Sequence, residues 1–189
     1  AMRDDNRAQA HVGQSLRRIV NAGIDLLFPP RCGGCGRVDF VWCPTCAAEL
    51  EALPVEPRRV KLPPFTRSAA TGLHEGKLQD AVQALKYTHA ASLADPLSQR
   101  LITCLRQLNW TFDLIVPVPL HASRVHERGY NQSQLLGERT AQALNVPCDP
   151  LAVMRRRATP PQVGLNREQR QTNVKGAFLG IRPLAIRSS

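Results

Sequence analysis

Four cysteines near the start of the chain have the spacing of metal ligands. Cys32 and Cys35 form one C-x-x-C pair, and Cys43 and Cys46 form a second, with seven residues between the pairs. Two residues between thiolates allow both sulfur atoms of a tight turn to face one centre, and two such turns complete the tetrahedron of a structural zinc site. Three glycines within and just after the first pair free the backbone for its turn. We therefore predict that these four thiolates bind one structural Zn²⁺ ion.

Other roles for cysteine agree less well with the sequence. No apolar run reaches the ~18 residues that span a bilayer, so we expect a cytoplasmic protein without membrane insertion, where disulfides are disfavoured. Covalent haem attachment requires a histidine directly after a C-x-x-C pair, whereas Gly36 and Ala47 stand there. An iron site of four thiolates stays open. Cys104 and Cys148 stand alone, and we interpret them as small buried residues.

A polar segment that follows a short apolar run could hold phosphate. The run, residues 113–118 with the sequence DLIVPV, is typical of a buried parallel strand. Ligands of open parallel sheets lie beyond the carboxyl ends of the strands, and Asn131 can cap a helix whose N-terminus would face an anion there. The loop between strand and helix carries His121, Ser123, Arg124, His126 and Arg128. A solvated loop with incidental arginines is the alternative, and the sequence leaves both open.

The last third of the chain carries most of the excess positive charge. The chain has 25 basic and 15 acidic side chains, of which residues 121–189 hold 11 and 4. The polarity and prolines of a second basic cluster predict a mobile excursion that closes over an anionic ligand. Its candidate nucleic-acid-binding residues are Arg155, Arg156, Arg157, Gln162, Arg167, Arg170 and Asn173. Charge alone fits a site for polyanions or a merely solubilising surface.

The elements that would position these groups alternate between helix and strand. Helical periodicity marks three segments: 14–28, 76–86 and the run of Leu93, Leu97, Leu101 and Leu105. A fourth helix, 131–144, is indicated by its cap at Asn131 and its stop at Pro147. Strand-like segments lie near 65–73 and at 113–118. This order favours an α/β fold over an all-α fold. We divide the chain into an N-terminal helix (1–30), a zinc ribbon (31–53), a proline-rich linker (54–64) and a second domain (65–189).

Taken together, these segments resemble the competence protein F (ComF) family, phosphoribosyltransferase-like proteins with an N-terminal zinc ribbon. The resemblance runs from residue 27 to 178 and includes, beside the cysteine pairs, LKY at 85–87, PVPLH at 117–121, RGYNQ at 128–132 and TPPQ at 159–162. It implies a type I phosphoribosyltransferase fold, a parallel sheet with helices on both faces and a flexible hood at 155–178. Leu120 to Arg124 match the pyrophosphate-binding loop. The candidate phosphate-binding residues are therefore Leu120, His121, Ala122, Ser123, Arg124 and Arg128.

The resemblance also implies ligands and partners. These are phosphoribosyl pyrophosphate with Mg²⁺, and a role in handling imported DNA during natural transformation alongside a competence helicase. One part of the family pattern is not found. After the hood, such proteins have a strand ending in two acids that hold the ribose hydroxyls, and a Thr-Thr-Gly-type loop that holds the 5-phosphate. Residues 179–189 contain neither. We therefore expect a C-terminally truncated chain with an incomplete sheet that is inactive as a catalyst.

The sequence leaves three functional hypotheses. The favoured one is an accessory protein for DNA uptake that holds single-stranded DNA in a basic groove, although 5% aromatic residues offer few stacking platforms for bases. The second is a phosphoribosyltransferase that acts when the missing segment is present. The third is a zinc-ribbon scaffold that recruits a protein partner. Steep salt dependence would distinguish DNA held by several phosphates from a small phosphate ester.

Overall fold

The computed structural model describes residues 29–160, 162 and 164–181, so the predicted helix at 14–28 lies outside the described residues. The α-helices are α1 (Pro44–Ala52), α2 (Gly76–Tyr87), α3 (Ala94–Leu108), α4 (Ala122–Arg128), α5 (Gln132–Leu144) and α6 (Arg167–Val174). The strands are β1 (Arg58–Arg59), β2 (Ala69–Ala70), β3 (Val153–Arg155) and β4 (Phe178–Gly180). A single 3-10 turn, Ala91–Leu93, leads into α3.

Three of the four predicted helices are confirmed as α2, α3 and α5. Helices α2 and α3 bury apolar positions that their periodicity indicated, such as Leu85 of α2 and Leu97 of α3. Helix α5 begins where expected, because the Asn131 side chain accepts a hydrogen bond from the Ser133 N–H at 3.0 Å. It ends at Asn145 in the left-handed conformation, with φ of 54°.

The hydrophobic core joins the cysteine module, residues 31–53, to the rest of the chain. Leu50 of α1 is buried among α2, the 3-10 turn and α3. The core is completed by half-buried side chains of the α4–α5 region, including Tyr130, Leu135 and Leu136. Helix α3 packs along α5. The cysteine module is therefore anchored by apolar contacts as well as by its thiolates.

The sheets are small and antiparallel. Strand β1 pairs with β2, and β3 pairs with β4. Of the predicted parallel strand at 113–118, Ile115 alone forms a ladder contact, a parallel bridge to Cys148. The described residues are thus a mixture of helix and sheet, and the larger parallel sheet of a phosphoribosyltransferase stays a prediction. Parallel strands are joined by crossover connections of a dozen or more residues, so the partner of such a strand comes from a distant part of the chain.

Two segments predicted to be irregular contain regular structure. Helix α4 occupies most of the supposed loop after residue 120, and the prediction of a loop there was wrong. The His121 ring accepts the Ser123 N–H at one end, and Gly129, with φ of 81°, ends the helix at the other. In the hood, α6 connects β3 to β4 along the chain, and Asn166 begins it with a capping box.

The predicted linker is tied to the core by a buried arginine. The guanidinium of Arg100, on α3, donates to the carbonyl oxygens of Leu53 at 2.7 Å and Pro54 at 2.8 Å. Arg100 is only 7% exposed, and burial lowers its pKa below the usual value. The start of the linker is consequently fixed to α3 rather than free to move.

Candidate metal centre and basic cleft

The four cysteines of the two pairs form one cluster. Their Sγ atoms all lie within 4.8 Å of one another, and those of Cys35 and Cys43 are 3.6 Å apart. A tetrahedron with Zn–S bonds of ~2.3 Å separates its sulfur atoms by about 3.8 Å. Cys32, Cys43 and Cys46 are buried, and Cys35 is exposed. Four sulfur donors at these distances can hold a metal ion, and the arrangement fits a structural zinc site.

Local hydrogen bonds build the first turn of the cluster. Cys32 donates its N–H to the Arg37 carbonyl at 2.8 Å, and the Gly36 N–H is donated back to the Cys32 carbonyl at 2.8 Å. Gly36 has φ of 74°, a conformation that side chains strain. Gly33 serves a different purpose, since a Cβ there would lie 2.7 Å from Cβ of Ala84 on α2. The turn therefore docks directly on that helix.

The second turn leads straight into helix α1. Cys43 stands at the N-cap position and Pro44 in the first turn, where proline is favoured because no N–H is needed. The Cys43 N–H donates to Cys32 Sγ at 3.3 Å. Hydrogen bonds of this kind favour a thiolate. Although burial raises the pKa of Cys32, backbone N–H groups led by that of Cys43 outweigh it and lower the pKa to about 6.

Lysine 77, at the start of α2, is the polar neighbour of the cluster. Its ammonium donates to Cys46 Sγ at 3.3 Å and to the Gly34 carbonyl at 3.2 Å. It also lies 2.9 Å from a carboxylate oxygen of Glu49 on α1. Burial raises the pKa of Cys46 to about 12, and the bond from Lys77 opposes that rise. Lys77 thus compensates thiolate charge and joins three parts of the structure: α1, α2 and the turn that carries Cys32 and Cys35.

A second candidate site is a cleft of about 670 Å³ between α2, the 118–132 segment and the hood. It brings together two stretches that the sequence analysis singled out separately. Of the predicted phosphate-binding residues, Leu120, His121, Ser123, Arg124 and Arg128 line it, as do Arg155 and Gln162 of the hood. Ala122 and the hood residues Arg156, Arg157, Arg170 and Asn173 are not among its lining residues. The side chain of Arg167 lies outside the part of the chain that the structure describes.

The cleft is rich in cations. Its charged lining residues are Lys86, Arg124, Arg128, Arg155 and one acid, Glu127. Glu127 lies 3.0 Å from Arg124 within α4, so its charge is already compensated. Burial, together with repulsion from Arg124 and Arg157, lowers the pKa of Arg155. An anion in the cleft would relieve this repulsion.

Aromatic rings hold two of the arginines in place. The Arg128 guanidinium lies 5.3 Å from the centre of the Tyr87 ring and donates to Gln132. Arg155 lies 5.4 Å from the centre of the Phe178 ring and donates to Thr159. Both guanidiniums are therefore positioned before any ligand binds, which reduces the entropy lost on binding.

The sequence analysis missed the contribution of α2 to this cleft. Lys86 and Tyr87 lie at the end of that helix and line the cleft. Burial first, and the charge of Arg128 second, lower the pKa of Lys86. Tyr130 connects the two sides by donating from its hydroxyl to the Leu85 carbonyl at 2.7 Å. The sequence did contain a signal for this contribution, the segment LKY at 85–87. The family resemblance included that segment but assigned it no function.

Curated relatives were found by sequence. The chain is 32% identical to the DNA utilization protein YhgH of Escherichia coli strain K12 over 154 residues, which cover 78% of this chain and 68% of that protein. It is 35% identical to YhgH of Salmonella typhimurium over 143 residues, covering 72% and 63%. It is 28% identical to Competence protein F of Haemophilus influenzae over 156 residues, covering 78% and 68%.

Family models and solved structures add no further relative. No family model matches the chain, and no solved structure matches it significantly. Among the described residues, no helix combines the length and the apolar character needed to cross a bilayer.

Proposed function

Because the chain belongs to the competence protein F family, we propose that it acts in DNA uptake and holds single-stranded DNA by its phosphates in the basic cleft. The names of its relatives, DNA utilization protein and Competence protein F, support the role in DNA uptake. The cleft supports the mode of binding.

We further propose that the metal of the cysteine cluster is Zn²⁺ and that its role is structural, because all four ligands are thiolates and no position is left for a substrate.

The observation that carries the proposal is the surplus of cations in the cleft. Among the described residues, four cationic side chains line it against one carboxylate, which is paired with Arg124. The Lys86 ammonium has no hydrogen-bond or ion-pair partner among the residues that the structure describes. Phosphate oxygens are the natural partners of such groups. The cleft therefore favours an anionic ligand over a neutral one.

Salt-dependent binding of a 20-nucleotide oligo-dT, followed by fluorescence anisotropy, tests the proposal. The slope of log K against log salt should be steep for the unchanged protein. Lys86→Met and Arg128→Ala should each weaken binding several-fold and reduce the slope by about 0.7 for each phosphate that is no longer neutralised. Arg106→Met is the matched control, because Arg106 is an exposed residue of α3 that does not line the cleft. Unchanged affinity and slope in both cleft variants would show that DNA does not bind there.

The size of the cleft favours phosphoribosyl pyrophosphate as a second candidate ligand. Sites for small molecules usually measure about 300–1,000 Å³, a range that includes this cleft. Mg²⁺, however, needs oxygen ligands, and Glu127, the sole carboxylate among the described lining residues, is paired with Arg124. The described residues thus do not fit a Mg²⁺ site. We therefore propose that the cleft binds phosphoribosyl pyrophosphate without catalysing its reaction. Competition between phosphoribosyl pyrophosphate and oligo-dT, measured by calorimetry, would show whether the two ligands share the cleft.

The scaffold hypothesis and the helicase partner stay predictions. A test independent of DNA is to ask whether the protein retains a helicase on a column when the cleft carries Lys86→Met and Arg128→Ala. Retention by that variant, with loss after removal of the metal, would favour recruitment through the cysteine module.

A further inference from the structure

A second basic surface lies at the hairpin formed by β1 and β2. The loop 60–68 and Trp110 line a groove of about 440 Å³ that shares no lining residue with the basic cleft. We infer that this groove is a stacking site for the bases of single-stranded DNA. The inference rests on the proposed function for the identity of the polymer, and it assigns that polymer a second contact surface.

The charge of the groove selects an anionic partner. Arg59, Lys61 and Arg67 line it, and no acidic residue of the described part of the chain does. The nearby acid Glu56 is 3.4 Å from the Arg58 guanidinium, and its charge is compensated there. Three cations on one hairpin and no carboxylate in the groove allow phosphates to bind at more than one point along a strand.

The groove also contains two aromatic rings, those of Phe65 and Trp110, which a site for phosphate alone would not require. Phe65 is 65% exposed and lines the groove, so its ring is accessible to a ligand there. The Trp110 ring forms another wall of the groove, and the Arg67 guanidinium lies 6.0 Å from its centre. Bases stack on aromatic rings and on arginine planes without regard to sequence. Rings and cations in one groove therefore favour a polymer that offers both phosphates and free base faces.

The backbone holds these groups in a defined arrangement. Arg58 pairs with Ala70 and Arg59 with Ala69 in the two-stranded ladder. The Val60 N–H extends it by donating to the Ser68 carbonyl at 2.8 Å. The Phe65 N–H donates to the Leu62 carbonyl at 3.0 Å, which closes a turn that presents the ring. The ring is thus displayed by a bonded turn at the end of a ladder.

Single-stranded DNA accounts for these features better than a duplex or a membrane does. A duplex exposes its phosphates but keeps its base faces stacked, so it would leave Phe65 without a partner. An anionic membrane would contact the exposed side chains of Val60 and Leu62, but it gives no reason for the half-buried Trp110 to face a groove. The membrane is therefore an outcome to be tested.

The test compares two 20-nucleotide strands, oligo-dT and an abasic strand with the same number of phosphates. Phe65→Ala should weaken oligo-dT binding about 5- to 150-fold, as expected when one stacked base loses its ring, and leave abasic binding unchanged. Arg67→Ala should weaken both. Leu151→Ala is the control, because Leu151 is 62% exposed and lines neither site. Phe65 is exposed, so a thermal transition matching that of the unchanged protein is expected of the variant.

Three other outcomes would overturn the inference. They distinguish failure of the stacking site from failure of the proposed function. If the unchanged protein binds neither strand, the proposed function fails and this inference with it. If it binds oligo-dT in a Lys86-dependent way but Phe65→Ala binds both strands normally, the groove is not a stacking site and the proposed function stands. Loss of binding to vesicles of anionic phospholipid in Phe65→Ala, with normal oligo-dT binding, would assign the groove to a membrane surface instead.

Discussion

The ammonium of Lys77 lies 3.3 Å from Cys46 Sγ, and on the same helix Lys86 lines the basic cleft. The two lysines are nine residues apart on α2, a separation of about 14 Å along the helix axis. A change at the cysteine cluster that moves the start of α2 would therefore also move the Lys86 ammonium near its end. The structure thus connects the cysteine cluster with the cleft that we propose to bind DNA.

Replacing one of the buried thiolates should remove the metal. Cys43→Ser leaves three thiolates and a weak fourth ligand, so the zinc content should fall from one ion per chain to well below that value. The melting temperature should fall as well, because metal binding stabilises the module. Elemental analysis and thermal unfolding measure the two effects. Cys148→Ser, outside the cluster, should retain one zinc ion per chain. A Cys43→Ser protein with full zinc content would contradict the assignment of the four ligands.

Removing the ammonium beside the cluster should weaken metal binding without abolishing it. Lys77→Met keeps the apolar stem of a side chain that is only 16% exposed, and it removes the bonds to Cys46 and Glu49. Loss of a group that hydrogen-bonds a ligand typically costs 10- to 100-fold in metal affinity, and we expect about tenfold here. Competition with a chromophoric chelator gives the affinity. Lys175→Met changes an exposed lysine elsewhere and should have no effect; equal affinities for all three proteins would refute a role for Lys77.

A methyl group at Gly33 should separate the first turn from α2. The added Cβ would meet Cβ of Ala84 at 2.7 Å, closer than two carbon atoms can approach. Overpacking of this kind typically costs about 1–3 kcal/mol of unfolding free energy. Urea denaturation measures the loss. Gly180→Ala is the control, since a Cβ there has no atom of the described residues within 4 Å and the backbone has no positive φ. If Gly33→Ala is as stable as the control, the docking of the turn on α2 is not as tight as described.

Loss of the Arg100 guanidinium should destabilise the chain and release the linker. Arg100→Met removes the donors to the carbonyls of Leu53 and Pro54. Two partly buried acceptors would then lack partners, and we expect a loss of about 2–3 kcal/mol. Arg106→Met, on the exposed face of the same helix, should change stability by under about 0.5 kcal/mol. Urea denaturation and limited proteolysis within 54–64 report the two effects. Proteolysis no faster than in the Arg106 variant would mean that Arg100 does not hold the linker.

Features that depend on neighbours in the sequence were predictable. The two C-x-x-C pairs determine where four thiolates can meet, because each turn is closed within a few residues. Helices α2 and α3 followed from periodicity, and α5 followed from the cap at Asn131 and the stop at Pro147. Helix α4 was missed because none of its residues is buried, so no apolar face signals it. Its N-cap, His121, is not among the side chains usually preferred there.

The composition of the two basic sites was decided by the tertiary structure. In the sequence, Lys86, Arg124 and Arg155 belong to three separated segments, and nothing in their local pattern requires them to meet. Packing of α2 and α5 around a shared core, together with the bond from Tyr130 to Leu85, brings them to one cleft. Likewise, Trp110 joins the β1–β2 loop only in the folded chain. Local sequence determines turns, caps and helix faces because their hydrogen bonds close within a few residues. A cleft needs the long-range packing of apolar surfaces, and only the folded chain provides it.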